Sequence, residues 1–138
     1  MHNKDRDRYR KLMYPLLDQE KLDTVLQEYG NVIDANAVTL RQVELSLYFL
    51  LSCTPRRTFD RKRSSYGLKA TAERVARAIP NVGNAYISNS AFIAAAILCG
   101  FKIDPIEGTP NVHLNIRARA RDTQRLEELL YNEYTCEL

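Results

Sequence analysis

The chain has 138 residues, of which 45% are hydrophobic and 27% are charged, a composition typical of globular proteins. This length is enough to bury a core and predicts one domain spanning residues 1–138. No stretch approaches the ~20 apolar residues of a membrane span, and the N-terminus lacks the apolar segment of a secretory signal. We therefore expect a cytoplasmic protein with no membrane partner.

The cysteines agree with that compartment. There are three, Cys53, Cys99 and Cys136, with wide spacing and no C-x-x-C motif. An odd number cannot pair completely, so reduced thiols are the expectation.

The N-terminal part of the chain predicts two helical regions. Residues 5–29 read as a helix in two pieces, because Pro15 lacks the N–H that a continuous helix requires, and Gly30 suits the end. In the next helix, Thr39 is a candidate N-cap and Gln42 completes the pattern of a capping box. These helices carry enough apolar surface to support a homodimer, although nothing in their spacing requires one.

Residues 53–65 have the composition of a loop, and a helix is predicted from about Ser65 to Ile79. Its apolar residues lie on one side and its charged residues on the other. A turn at residues 80–84 separates it from the most apolar segment of the chain.

That segment, residues 86–101, predicts a buried helix. Ser88 is a candidate N-cap, and Gly100 can adopt the left-handed conformation that ends a helix. No residue from Ala91 to Cys99 is polar, so no face of this helix is suited to water. We expect the other elements to pack around it.

After Gly100 the apolar period changes to two. Alternation in residues 112–119 predicts a half-buried strand, and together with residues 101–106 it predicts a β-hairpin at about 101–118. Asp122 is a candidate N-cap for a last helix. The expected fold is α+β and mostly α, with about five helices around the buried helix at 88–99, one β-hairpin and a C-terminal helix.

The charge is concentrated in residues 56–77, the basic segment. It holds eight basic and two acidic residues, whereas the rest of the chain has twelve basic and fifteen acidic residues. Arginine and lysine side chains, serine hydroxyls and the N–H groups at a helix start together favour phosphate binding. The predicted binding residues are Arg56, Arg57, Arg61, Lys62, Arg63, Ser64, Ser65, Tyr66, Lys69, Arg74 and Arg77.

The outward row of the hairpin, His113, Asn115, Arg117 and Arg119, is a second polar surface. Arg117 and Arg119 are its candidate binding residues, although an ordinary wet strand face is the favoured interpretation. For the basic segment, a solvated loop whose arginines pair with acidic residues of the chain or with a protein partner is an equal alternative.

The sequence favours no catalytic, metal or cofactor site. His113 is the one histidine outside the N-terminus, and no hydrolase, P-loop or dinucleotide motif is present. Asp104, Glu107 and His113 lie on the arms of one hairpin and could converge on a metal ion, but a polar turn is the favoured interpretation.

Four segments carry a further pattern: S-S-Y-G-L-K at 64–69, Y-I-S-N-S-A-F-I-A-A-A at 86–96, G-F at 100–101 and P-N-V-H-L-N-I at 110–116. Together they resemble small uncharacterised proteins encoded by phages, conjugative plasmids and other mobile elements. The resemblance covers about residues 64–117. The chain departs from that pattern at Ser90, where a glycine is common, and at Ala70, where a histidine is common. The resemblance implies an accessory protein of a mobile element but carries over no activity, cofactor or catalytic residue.

The sequence therefore predicts a non-enzymatic protein whose basic segment binds nucleic acid, or a host nucleoprotein complex, through phosphate contacts. The alternative is a protein–protein inhibitor of a host defence system, of the anti-CRISPR or anti-restriction type, in which the same arginines contact acidic residues of the target.

Overall fold

The computed structural model describes residues 11–135, and within them the fold is α+β and mostly α, as predicted. Residues 11–13 are helical, and a short 3-10 helix spans Ala35–Ala37. The longer helices are α1 (Gln19–Glu28), α2 (Leu40–Leu50), α3 (Ser65–Arg77), α4 (Asn89–Leu98) and α5 (Ala120–Thr135). The strands are β1 (Thr54–Pro55), β2 (Ile103–Pro105), β3 (Val112–Leu114) and β4 (Ile116–Arg117).

The predicted break in the first helix is confirmed. A turn covers residues 14–16, and α1 begins after Asp18, whose carboxylate accepts hydrogen bonds from the N–H groups of Glu20 and Lys21. This side chain satisfies two of the donors that a helix start leaves unpaired. Residues 5–10 of the predicted helix, and Cys136, lie outside the described residues.

Helix α4 is the buried element that the sequence predicts. All residues from Ala91 to Ala96 are fully buried. Ser88 Oγ accepts from the Ala91 N–H at 3.0 Å, and Gly100 has a φ of 92°. The Phe101 N–H then donates to the Ala96 carbonyl at 3.1 Å, the bond that closes a Schellman motif. Both predicted ends of the helix are confirmed.

The predicted capping box at α2 forms only in part. Thr39 Oγ1 accepts from the Gln42 N–H at 3.2 Å, but Gln42 Oε1 accepts from the Ser88 N–H at 3.1 Å instead of returning to Thr39. Ser88 Oγ also donates to the Ala37 carbonyl at 2.6 Å. The glutamine therefore ties the start of α2 to the start of α4, a contact that its spacing from Thr39 could not reveal.

The core extends from α4 to its neighbouring helices. The rings of Phe49 in α2 and Phe92 in α4 stack with their centroids 6.3 Å apart. Buried residues of α3 and α5, among them Leu68 and Leu130, join the same apolar cluster. None of the helices within residues 11–135 combines the length and the apolar character needed to cross a bilayer.

The predicted hairpin is confirmed for β2 and β3, which are antiparallel with Ile103 opposite Leu114. The second arm does not continue as one paired strand, because β4 instead pairs with β1, so that Thr54 lies opposite Arg117. The prediction that residues 53–65 form only a loop is thus wrong at Thr54–Pro55. The consequence is that the chain entering the basic segment lies beside the hairpin.

The last helix starts earlier than predicted. Asp122 is not its N-cap, since α5 begins at Ala120 and the Arg119 carbonyl accepts from the N–H groups of Asp122 and Thr123. Asp122 lies instead in the first turn, where its negative charge interacts favourably with the positive end of the helix dipole.

Candidate functional site

An open groove of about 840 Å³ lies between residues 56–63, the basic loop, and strand β4. Arg117 contributes from β4, and Phe59, Ile116 and Ala118 supply apolar lining. Asp60 is the one carboxylate among the lining residues. The basic side chains that line this basic groove are Arg56, Arg61, Lys62, Arg63 and Arg117.

Backbone hydrogen bonds hold the basic loop against the strand. The Arg56 N–H donates to the Asn115 carbonyl at 2.8 Å, and the Asp60 N–H donates to the Leu114 carbonyl at 2.9 Å. Arg63 adds a side-chain bond to the Ala118 carbonyl at 2.8 Å. Because these bonds lie at both ends of the loop, the cations between them are held on a fixed frame.

Asn115 joins the basic loop to both arms of the hairpin. Its Nδ2 donates to the Arg56 carbonyl at 3.2 Å, and its Oδ1 accepts from the Lys102 N–H at 2.6 Å. The side chain that the sequence assigns to an outward polar row is thus used to connect the basic loop to both arms of the hairpin.

Asp60 explains how so many cations can lie together. Asp60 is only 8% exposed, and its carboxylate oxygens lie 3.9 Å from Arg56 Nη1 and 3.8 Å from Arg63 Nε. Oδ1 also accepts from the Lys62 N–H at 3.0 Å. One carboxylate therefore offsets part of the repulsion between two guanidinium groups and shapes the turn at Lys62.

The remaining cations of the groove differ in their partners. Arg61 Nη1 lies 2.7 Å from Asp104 Oδ2, and its guanidinium lies 5.4 Å from the centroid of the Phe59 ring. Lys62 and Arg117 are exposed and have no ion-pair partner within the described part of the chain. The groove thus has more positive charge than its own carboxylates neutralise.

The helical half of the basic segment is arranged differently. Ser65 is fully buried, and its hydroxyl accepts from the Val112 N–H at 3.1 Å. Lys69 is 9% exposed and lies 3.3 Å from Glu73 Oε1, and Arg74 lies 3.0 Å from Glu127 Oε1. Since burial or a carboxylate partner occupies these three side chains, Ser65, Lys69 and Arg74 are not available to a ligand in the way that the sequence predicts.

The other predicted binding residues lie at the margins of the groove or away from it. Ser64 is the half-buried N-cap position of α3, and its hydroxyl makes no capping bond. Arg57 and Arg119 are exposed but do not line the groove, and Arg77 is exposed in the last turn of α3. Tyr66 is exposed in the first turn of α3. The structure therefore brings together only part of the surface predicted for the basic segment, and it places Arg117, predicted on a separate strand face, in the same groove.

The hairpin also brings Asp104 and His113 together, since they are opposite each other in the β2–β3 register. The Asp104 carboxylate is, however, bound by Arg61. Among the side chains that the structure describes, no group of three or more histidine, cysteine, aspartate or glutamate residues is placed to hold a metal ion.

The two described cysteines are free thiols with suppressed reactivity. Desolvation by burial raises the pKa of Cys53 to about 12, against a smaller lowering by a hydrogen bond with Ser52. Desolvation likewise raises the pKa of Cys99 to about 12. Because the thiolate is the nucleophile, neither cysteine is suited to covalent catalysis near neutral pH.

The sequence predicts the cations that line the groove but not Asp60 and Asn115, the residues that hold the basic loop in place. Asp60 could have been noticed as an acid between Arg56 and Arg63, whereas nothing local distinguishes Asn115 from its neighbours on the strand.

Comparison of the chain with protein-family models, curated proteins and solved structures finds no match.

Proposed function

We propose that the protein is a non-enzymatic nucleic-acid-binding protein of the cytoplasm and that the basic groove holds the phosphates. One observation carries the proposal: five basic side chains from two separate segments line one groove that contains a single carboxylate. Charge of one sign in a concave site concentrates anions there. The phosphates of a nucleic acid are anions that several arginine and lysine side chains can contact at once.

The groove supports positioning more than sequence readout. Its cations are arginine and lysine on a loop and a strand, and the rest of its lining is apolar except for Asp60. Contacts of this kind fix a backbone without distinguishing bases. An accessory protein of a mobile element, the setting implied by the resemblance of residues 64–117, would use such a surface on the element's nucleic acid or on a host nucleoprotein complex.

The test is a binding titration of fluorescently labelled DNA and RNA at increasing salt. Each phosphate contact contributes about 0.9 to the slope of log affinity against log salt for duplex DNA. We expect Lys62→Gln and Arg117→Gln each to weaken binding of every probe and to reduce that slope by about 1. Neither side chain has an ion-pair partner within the described residues, so both variants should keep the wild-type melting temperature.

Lys11→Gln is the matched control, because it removes one exposed positive charge outside the groove. It should leave the slope unchanged. Binding that is undetectable at low salt, or that does not weaken as salt is added, contradicts the proposal. Equal effects of Lys11→Gln and Lys62→Gln would assign the binding to net charge and not to the groove.

A protein–protein inhibitor of a host defence system is the second candidate. Exposed tyrosine and arginine are enriched at protein interfaces, and Tyr66 is 62% exposed three residues after Arg63. A pull-down from host lysate distinguishes the two. A partner retained after nuclease treatment favours a protein contact, whereas a partner lost on treatment favours nucleic acid.

A further inference from the structure

A second surface lies beyond the groove, where two tyrosines flank one lysine. Lys69 Nζ is 5.3 Å from the ring centroid of Tyr66 and 5.2 Å from that of Tyr86. The tyrosines are 62% and 56% exposed, whereas Lys69 is 9% exposed. We call Tyr66, Lys69, Glu73 and Tyr86 the tyrosine–lysine cluster.

Glu73 connects the two segments of the chain that carry the rings. Its Oε1 lies 3.3 Å from Lys69 Nζ, and its Oε2 accepts from the Ile87 N–H at 3.0 Å. The Tyr86 N–H in turn donates to Asn84 Oδ1 at 3.0 Å. One carboxylate therefore ties α3, which holds Tyr66, to the segment that holds Tyr86.

The cluster offers aromatic surface more than charge. Because Glu73 is paired with Lys69, the ammonium has little capacity left for a phosphate. The ammonium lies over both rings, yet more than half of each tyrosine remains exposed. Exposed aromatic faces on a rigid frame are what unpaired bases stack on.

The cluster also lies close to the groove. Tyr66 follows Arg63 by three residues, so their Cα atoms are no more than about 11 Å apart. A strand whose phosphates lie in the basic groove can therefore reach Tyr66 within a few nucleotides. Bases in a duplex are already stacked on each other and cannot present their faces to the tyrosines.

We propose that Tyr66 and Tyr86 form a stacking platform for unpaired bases, so that the nucleic acid bound by this protein is single-stranded. This inference rests on the proposed function, since the groove supplies most of the affinity and the tyrosines supply the preference for a single strand. The chemistry is common to DNA and RNA, because both present the same aromatic faces.

The experiment uses the whole protein and an oligonucleotide of mixed sequence, about 20 nucleotides long to exceed the site of a small single-strand binder. It is made as DNA and as RNA, and each is titrated alone and annealed to its complement. We expect the single strands to bind more tightly than the duplexes. Tyr66→Leu and Tyr86→Leu should each weaken single-strand binding about 5- to 150-fold and leave duplex binding and the salt slope unchanged.

Tyr66→Phe and Tyr86→Phe should keep single-strand binding, because they preserve the ring. Tyr14→Leu is the matched control, since Tyr14 is also 62% exposed but lies outside the cluster and the groove. It should have no effect on any probe. A selective loss with either sugar supports the inference.

Three results would overturn it. If both leucine variants bind single strands as tightly as the wild-type protein does, with the same salt dependence, the platform is contradicted and the groove is not. Equal losses on single strands and duplexes show that the tyrosines support the fold or the groove and not bases. If no probe binds with salt dependence, and Lys62→Gln also changes nothing, the proposed function fails first and the platform fails with it.

Discussion

The basic loop carries five cations and helix α3 carries three, and the two regions differ in how these charges are paired. In α3, Lys69 and Arg74 each have a carboxylate of their own, Glu73 and Glu127. In the loop, the single carboxylate of Asp60 lies between two arginines at nearly 4 Å from each. Two of the three cations of the helix are therefore paired one to one with a carboxylate, whereas the loop keeps a surplus of positive charge that lines the groove.

This difference shows that charge density along a sequence is a poor measure of available charge. The two acidic residues of the basic segment differ in this respect, since Glu73 neutralises one partner and Asp60 is shared between two arginines. What remains available depends on contacts with distant residues. The loop gains Arg117 as a neighbour, while the helix loses Arg74 to Glu127.

The largest expected effect is on stability, and it tests whether the buried helix α4 holds α3 in place. Ala95 is fully buried in α4, which packs against α3 as well as α2. Ala95→Asp places an unpaired charge in this core, so we expect a loss of more than about 4 kcal/mol in the free energy of unfolding. Urea denaturation measures it. The control Ala70→Asp, at an exposed position of α3, should cost less than about 1 kcal/mol.

If Ala95→Asp kept the wild-type denaturation midpoint, α4 would not be the fixed element that holds α3 in place. Folded Ala95→Asp protein with impaired binding alone would point to the same conclusion.

Local chemistry made α4 predictable and left the site only partly so. Ser88 and Gly100 mark its ends through bonds within a few residues, and the apolar run between them allows only a buried helix. The pairing of β1 with β4 involves two residues on each side and a proline, too short for any periodicity. The contact of Arg61 with Asp104 spans 43 residues, and that of Arg74 with Glu127 spans 53. Such pairs decide which cations are free, and no local pattern encodes them.

The carboxylates of Asp60 and Glu73 give the second prediction, because their removal should act on different properties. Glu73→Gln leaves Lys69 buried without its counter-ion, so we expect a loss of about 1–3 kcal/mol in stability, less than for a fully buried pair. Asp60→Asn keeps an acceptor for the Lys62 N–H and breaks only long ion pairs, so we expect a loss of about 0.5–1.5 kcal/mol.

Binding should separate the two variants further. Asp60→Asn removes the one carboxylate that lines the groove, so affinity for the labelled oligonucleotides should rise at low salt and the salt slope should steepen. Glu73→Gln should not steepen it. Thermal unfolding and the salt titration of both proteins provide the measurements. A steeper salt slope in Glu73→Gln, or an unchanged salt slope in Asp60→Asn, would contradict the assignment of the available charge to the loop.

The smallest expected effect tests where the binding surface ends. Arg77 is exposed in the last turn of α3, and like Lys62 it has no ion-pair partner within the described residues. The two therefore differ in position and not in availability: Arg77 lies twelve residues beyond the start of α3, which is about 18 Å along the helix axis. We expect Arg77→Gln to change affinity less than about 2-fold and to leave the salt slope at its wild-type value, since no phosphate contact is lost. Lys62→Gln, measured in parallel, should lower the slope by about 1. Equal reductions in the two variants would extend the surface over the whole basic segment, as its charge density alone suggests, and would remove the distinction between loop and helix.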